Sequence, residues 1–409
     1  MTTDLDTGLA VELDPGLRAG SAGEGPQVLL PRRDGSLAAL RLGAPGAWVD
    51  HPGRYASREV FAAAHVVADP FGDNVPGAPA AIDWDATLAF RHELFRYGFG
   101  VAEAMDTAQR NMGLDWAGTQ ELVRRSAAQA KAAGARIASG AGTDHKGVLG
   151  SVDEVALAYL EQVEHVEACG SQVIVMASRH LAAVARDAED YAAVYDRVLG
   201  QVAEPVVLHW LGEAFDPQLR GYWGTSDVET ATATFLEIVR AHAAKIDGVK
   251  VSLLSAEHER GLRAALPEGV RLYTGDDFNY PELIKGDGTH HSDALLGAFA
   301  AVAPAASAAL VALDAGDHAA YDAAMAPTLP LSRHVFEAPT FYYKTGIAFL
   351  SWLNGHQRGF TMLGGLQAGR DAVHLGRVVE LADAAGLLRD PDLAAARWTA
   401  YLRTAGVEA

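Results

Sequence analysis

Two rhythms of apolar and polar positions alternate along this chain. Short, nearly continuous apolar runs read as buried strands, and the stretches between them, with apolar residues three and four apart, read as helices. The runs fall at residues 60–68, 99–104, 136–142, 172–177, 205–210, 247–253 and 270–277, with an eighth around 292–297. Helical stretches at 83–97, 115–133, 151–168, 187–202 and 227–245 separate them. Asp83, Ser151 and Ser226 or Asp227 stand where helix caps belong. Strands that alternate with helices in this way form a parallel sheet covered by helices. Seven or eight such units over roughly 240 residues predict a closed (β/α)8 TIM barrel. An open doubly wound sheet is the alternative, but no Gly-x-Gly-x-x-Gly turn follows the first strand.

The flanks differ in pattern. Residues 1–57 are rich in Gly and Pro and read as an extension. It carries a β-hairpin around Arg33-Asp34-Gly35-Ser36, expected to act as a small lid or cap. Residues 58–300 make the barrel. Residues 301–409 read as a helical appendage, with Ala-rich segments at 305–313, 318–326, 331–337, 345–354, 371–385 and 392–403.

Composition narrows the function. A formal charge of −19 argues against nucleic acid and anionic membrane as partners. The one cysteine, Cys169, leaves no intramolecular disulfide and no cysteine-based metal cluster. The acidic N-terminus has no apolar core of a signal peptide, and no run is long enough to span a membrane, so the cytoplasm is the expected location.

Active sites of such barrels lie at the C-terminal ends of the strands. Those ends carry Glu103 and Asp106, then Thr143, Asp144 and His145, then Ser178, Arg179 and His180. His209 and Trp210, Lys250 and Ser252, Asp276, Asp277 and Asn279 follow, and His290 and His291 precede the eighth strand. Lys250 stands inside the run Asp247-Gly248-Val249-Lys250-Val251-Ser252-Leu253. A lysine buried on a parallel strand is costly unless it is paired, deprotonated or covalently used. A neutral amine can attack a carbonyl to form a Schiff base, whereas a lysine near a strand end can also simply snorkel to water. The other open route is a divalent metal held by His145, His180 and His209 with Glu103 or Asp277.

The order of these pieces resembles the dihydrodipicolinate synthase and N-acetylneuraminate lyase family, from about Val60 to Ala326. Ala68-Asp69-Pro70-Phe71 is similar to its Thr-Pro-Phe, and residues 137–143 to its Gly-rich third-strand end. Residues 205–212 resemble its Pro-Val-Ile-Leu-Tyr-Asn-x-Pro strand. Gly248-Val249-Lys250 matches its Gly-Ile-Lys, and Thr274-Gly275-Asp276-Asp277 its Ser-Gly-Asp-Asp. The resemblance implies a class I aldolase or hydro-lyase barrel, in a divergent bacterial branch, with Lys250 at the Schiff-base position. His209 falls where the family has its catalytic tyrosine. The family's Gly-Thr-Thr-Gly-Glu loop corresponds to Phe99-Gly100-Val101-Ala102-Glu103, without either threonine.

The reading is therefore a carbon–carbon or carbon–oxygen lyase acting through a Lys250 imine, with His209 or a carboxylate moving protons. Its expected partner is a small-molecule carbonyl compound, with a sugar-derived one suggested because the threonines that hold a 2-oxo acid in the family are missing. Glu103, Thr143, Asp144, His145, Arg179, Ser252, Asp276 and Asp277 are the expected substrate-binding groups. No metal and no cofactor is expected, and a homodimer or homotetramer is compatible with the helical C-terminus. A metal-dependent lyase or isomerase, or a barrel that only binds a metabolite, are the alternatives. Phe341-Tyr342-Tyr343-Lys344-Thr345-Gly346 and Trp352-Leu353-Asn354-Gly355-His356 combine aromatic and polar residues. They suit either closure of the site or helix packing.

Overall fold

The computed structural model of the protein describes residues 25–407. A hairpin comes first, with β1 (Gln27–Pro31) paired antiparallel to β2 (Leu37–Arg41). Eight parallel strands follow: β3 (Val60–Ala63), β4 (Gly100–Glu103), β5 (Ile137–Ala141), β6 (Gln172–Val175), β7 (Val206–Leu211), β8 (Ile246–Ser252), β9 (Arg271–Thr274) and β10 (Asp293–Leu296). They hydrogen-bond in sequence order, and β10 pairs with β3 to close a (β/α)8 barrel. The first strand is shorter than the apolar run that announced it. Pairing to β4 ends at Ala63, and Val67 and Asp69 bond instead to the segment around Ile82.

Helices form where caps and apolar faces coincide. Asp83 accepts from Ala86 N to start Trp84–Arg96, Asp115 from Gly118 N to start Trp116–Ala133, and Asp227 from Thr230 N to start Val228–Ala241. Ser151 caps Val152–Ala168, but Glu154 reaches back to Gly150 N, so the reciprocal arm of the capping box lands one residue early.

Strand alternation divides the barrel core in two. Phe61, Ala102, Ile174, Val207, Tyr273 and Leu295 meet in a small cluster inside the barrel, while their neighbours on each strand join the large core beneath the helices. The barrel floor is closed by Tyr273, whose ring fills the space that a side chain at Gly248 would need. Counting in twos from these lumenal residues puts His209, Lys250 and Ser252 on the inside. Glu103 and Thr274 then face the helices.

The outward layer contains a buried acid with no sequence signature. Glu259, on helix Ala256–Ala265, accepts hydrogen bonds from Thr274 (2.9 Å) and Ser292 (2.7 Å) and is 1% exposed. Burial pushes its carboxyl up to about 7. An acid raised in the folded state stabilises most below its unfolded pKa, and that stability is lost as pH rises through the folded value. Taking the unfolded value as 4.5, raising pH from 5 to 8 should cost the parent protein about 2–3 kcal/mol more than a Glu259→Gln variant. Denaturant titrations at the two pH values check this, and parallel pH slopes would remove Glu259 as the cause.

After the barrel come Phe299–Asp314, His318–Met325, Thr328–Val335, Tyr343–Leu353, Ala372–Ala384 and Pro391–Thr404, all helical. The hairpin does not cap the barrel. Trp398 Nε1 donates to Leu29 O (2.8 Å) and Arg32 pairs with Glu380 (3.1 Å), which seats β1 against the last two helices. Among the described residues no helix is long and apolar enough to cross a membrane.

Candidate active site

Lys250 sits centrally on β8, the sixth barrel strand, with His209 directly beside it on β7 as its register partner. The period-two alternation that buries Val249 and Val251 under the helices turns Lys250 into the lumen. It is 6% exposed and makes no hydrogen bond or ion pair with a described residue. Burial lowers its pKa, and the charges of Asp106 and Asp277 oppose that shift. The amine is thus held nearer its neutral, nucleophilic form than a surface lysine. Gly275 follows β9 beside it. A Cβ there would stand 2.2 Å from Ser252 Oγ and 2.9 Å from Lys250 Cε, so only glycine lets the lysine pass.

Asp277 is the acid of this centre. It is buried, and its Oδ1 accepts from Ala298 N at 2.9 Å. Burial raises its pKa to about 7, while the Ala298 bond and Lys250 pull it down. Burial therefore favours the neutral amine of Lys250 and the protonated carboxyl of Asp277, while each group's charge opposes that shift in the other. His209 differs. Its Nε2 lies 3.2 Å from Ser252 Oγ, its Nδ1 has no partner, and burial with the Lys250 charge holds its pKa well below the ordinary histidine value. It stays a neutral hydrogen-bonding imidazole.

The C-terminal helices complete the lid of this chamber. Helix Tyr343–Leu353 brings Tyr343 over the barrel, where its hydroxyl meets Thr107 Oγ1 at 2.8 Å. Asp106 and Asp277, the two acids that act on Lys250, also act on Tyr343. Phe336 stacks on Tyr343 at 4.3 Å, and Phe215 meets it edge-on. Gly297, just past β10, leaves room for these rings: a Cβ there would press on Tyr343, Phe336 and Thr107 at 3.1–3.3 Å.

Other residues singled out from sequence lie elsewhere. Glu103 is fully buried outside the lumen, where both its oxygens bind Arg91 of helix Trp84–Arg96 at 2.8 Å and one also accepts from Ala104 N. Asp144 is tied to Arg110, which also donates to Ala104 O, Gly140 O and Gln162. The Arg110 charge and bonds outweigh burial and bring Asp144 down to about 2. This latch joins the ends of β4 and β5 to helix Val152–Ala168. His145 bonds Glu161 and Gln162 on the flank of that helix. Asp276 turns into its own loop, accepting from Phe278 N, Asn279 N and Asn279 Nδ2. Thr143 binds Ser178 (2.6 Å) and His180 (2.9 Å) at the ends of β5 and β6. Arg179 Nε pairs with Asp216 Oδ2 at 2.6 Å.

The histidines considered for a metal therefore do not converge. Among the described residues, the gathered donor set is His334, Glu337 and His374, within the C-terminal helices. The alignment of residues 99–103 with a strand-end loop also needs correction. Gly100–Glu103 is β4 itself, and the loop it delivers is 104–109, whose polar residues are Asp106, Thr107 and Gln109. Arg91, Arg110 and Gln162 had not been singled out. Arg91 carried a signal, because it shares the buried face of its helix with Thr87, Leu94 and Phe95.

Solved structures with the same architecture belong to dihydrodipicolinate synthases and their relatives. YagE, a prophage protein of the dihydrodipicolinic acid synthase family from E. coli K12, was solved with pyruvate. It superposes with a TM-score of 0.62 at 15% identity, over 81% of this chain and 99% of its own. Dihydrodipicolinate synthase from Bacillus anthracis gives 0.59 at 15% identity over 80% and 98% of the two chains. The Aquifex aeolicus enzyme gives 0.59 at 12% over 81% and 99%. At these identities the likeness establishes the fold. No curated protein sequence matches the chain. The sequence itself matches, over residues 28–407, the model of the family described as Protein of unknown function (DUF993), and the chain belongs to that family.

Proposed function

We propose that this protein is a lyase that works through a Schiff base on Lys250, as an aldolase or a hydro-lyase. The observation that carries the reading is a buried, unpaired lysine in the barrel lumen, flanked by a neutral imidazole and a carboxyl of raised pKa. The solved relatives named dihydrodipicolinate synthases, one of them with pyruvate, point the same way.

In this reading the neutral Lys250 amine attacks a substrate carbonyl, the carbonyl oxygen leaves as water, and a protonated imine remains. Asp277 supplies and takes back protons, because it can hold either form near pH 7 and His209 cannot. With Asp277 ionised, it removes the proton of a hydroxyl placed β to the imine carbon. The carbon–carbon bond breaks, its electrons pass into the iminium, and an enamine and a carbonyl fragment result. Protonation of the enamine carbon and hydrolysis of the imine release the second product. Loss of a hydroxyl as water after α-proton removal is the hydro-lyase variant on the same groups. His209 and Ser252 hydrogen-bond substrate oxygens beside the imine. Residues 58–300 supply the chemistry, and the helical region after it, through Phe336 and Tyr343, closes it from water.

Borohydride reduction in the presence of small keto compounds, read by intact mass and peptide mapping, tests the reading. A reduced adduct on Lys250 that is absent from Lys250→Met is expected. No adduct with any carbonyl compound, or an adduct mapped only to the second buried lysine, Lys344, would overturn it.

A further inference from the structure

A second cluster of ionisable groups, which the imine reading leaves unused, lies in the C-terminal helices. His334 stands in the last turn of helix Thr328–Val335 and Glu337 just beyond it, while His374 is in the first turn of helix Ala372–Ala384. The two imidazoles stack at 4.1 Å with 24° between their planes, and both present an edge to one carboxylate. His334 Nδ1 lies 3.3 Å from Glu337 Oε2, and His374 Nδ1 lies 2.8 Å from Oε1.

Hydrogen bonding fixes where the ring proton of His334 sits. Its Nε2 is 2.9 Å from His374 O, and a carbonyl only accepts, so Nε2 carries the hydrogen. Nδ1 of the neutral ring is then a bare lone pair aimed at a carboxylate oxygen. Two acceptors at 3.3 Å repel unless a cation stands between them. His374 is buried and its Nε2 has no partner among the described residues, so the Glu337 side carries the ring's one polar contact there.

The cation is either a proton or a metal ion, and the geometry favours metal. Bonds of about 2.0–2.1 Å at tetrahedral angles set donors about 3.3 Å apart, and one donor from each of the three residues lies within 4.8 Å of the others. A metal-bound histidine almost always gives its other N–H to a carboxylate or carbonyl, as His334 does. The ligand backbones are held as well. Arg370 donates to Glu337 O and Pro339 O, and Asp371 accepts from His374 N. An ion in the plane of both rings requires them to fan apart. His334 and Glu337 have room for that, with side chains 17% and 45% exposed.

We propose that His334, Glu337 and His374 bind a divalent transition-metal ion of the zinc class, with water in the fourth position. Two imidazoles and a carboxylate are a donor set that suits this ion. Phe336 lies between two of the ligands in the chain and stacks on Tyr343 at 4.3 Å, so the ion braces the segment that covers the barrel.

Calorimetric titration of untagged, chelator-stripped protein with zinc chloride tests the site. One ion per chain is expected, bound more tightly at pH 8 than at pH 6 because it displaces protons. His334→Ala and Glu337→Gln should each weaken binding by about tenfold or more. Zinc should also slow amide exchange in residues 334–343 and 372–384. If a variant does not fold, the parent alone decides, since zinc-edge X-ray absorption should then show two imidazoles among light-atom ligands and the slowed amides should be those same two segments. No stoichiometric uptake at pH 8, or uptake that survives both substitutions, overturns the site and leaves a proton as the cation. Binding without slower exchange in residues 334–343 overturns the brace.

Discussion

Replacing Glu103 by Gln is expected to destabilise the protein by about 3–5 kcal/mol, the cost of leaving one member of a buried ion pair behind. Glu103 and Arg91 are both fully buried, and the guanidinium is bonded on every side. Two nitrogens face the carboxylate at 2.8 Å, and the third donates to His65 O and to Thr87 O. Removing the carboxylate charge leaves a guanidinium in the core with no counter-charge and no route to water. Removing both charges is a different case. A double variant, Arg91→Met with Glu103→Met, should recover most of the loss, because apolar residues of similar size avoid desolvating two ions. Urea denaturation of the parent, the single and the double variant measures both effects. A substrate-binding Glu103 would give another outcome: unchanged stability with impaired binding.

That contrast shows how far the sequence was legible. The barrel could be read because each parallel strand is an unbroken apolar run and each helix begins at a polar cap. The centre was legible for a related reason. Lys250 interrupts such a run, His209 lies in the C-terminal half of β7 and Asp277 just past β9, on the side where barrels put their chemistry. What failed was direction. Glu103 ends β4 and faces a helix, and parity decides it: Ala102 is lumenal, so Glu103 is out of phase. Asp277 and Asp144 each lie three residues past their strands, β9 and β5, where parity no longer holds, and their partners Ala298 and Arg110 come from other segments. The aromatic and polar segment around Tyr343 stood out in sequence. That it reaches the lumen follows from packing of Phe336, Phe215 and Gly297 that no local pattern encodes.

Asp277→Asn is expected to separate imine formation from proton transfer. Asp277 raises the pKa of Lys250, working against burial. Without that charge the lysine is more easily neutral, so its attack on a carbonyl should continue and borohydride should still label it. The later steps need a group that takes a proton from substrate, and an amide cannot. Positioned acid–base groups contribute about 10²–10⁴-fold, so exchange of substrate α-protons in D2O, followed by NMR, should slow by about that factor. The pH profile gives the sign. Asp277 must be ionised to act as base, and burial places its pKa at about 7. In the parent protein exchange should therefore rise with pH through about 7 and level off above it, and in Asp277→Asn that rise should be gone. His209 cannot imitate this limb, because its pKa is held well below the ordinary histidine value and it is already neutral throughout the range. Exchange in Asp277→Asn within tenfold of the parent, with the same rise near pH 7, would move the base elsewhere in the chamber, and Asp106 is then the acid that remains within reach of Lys250.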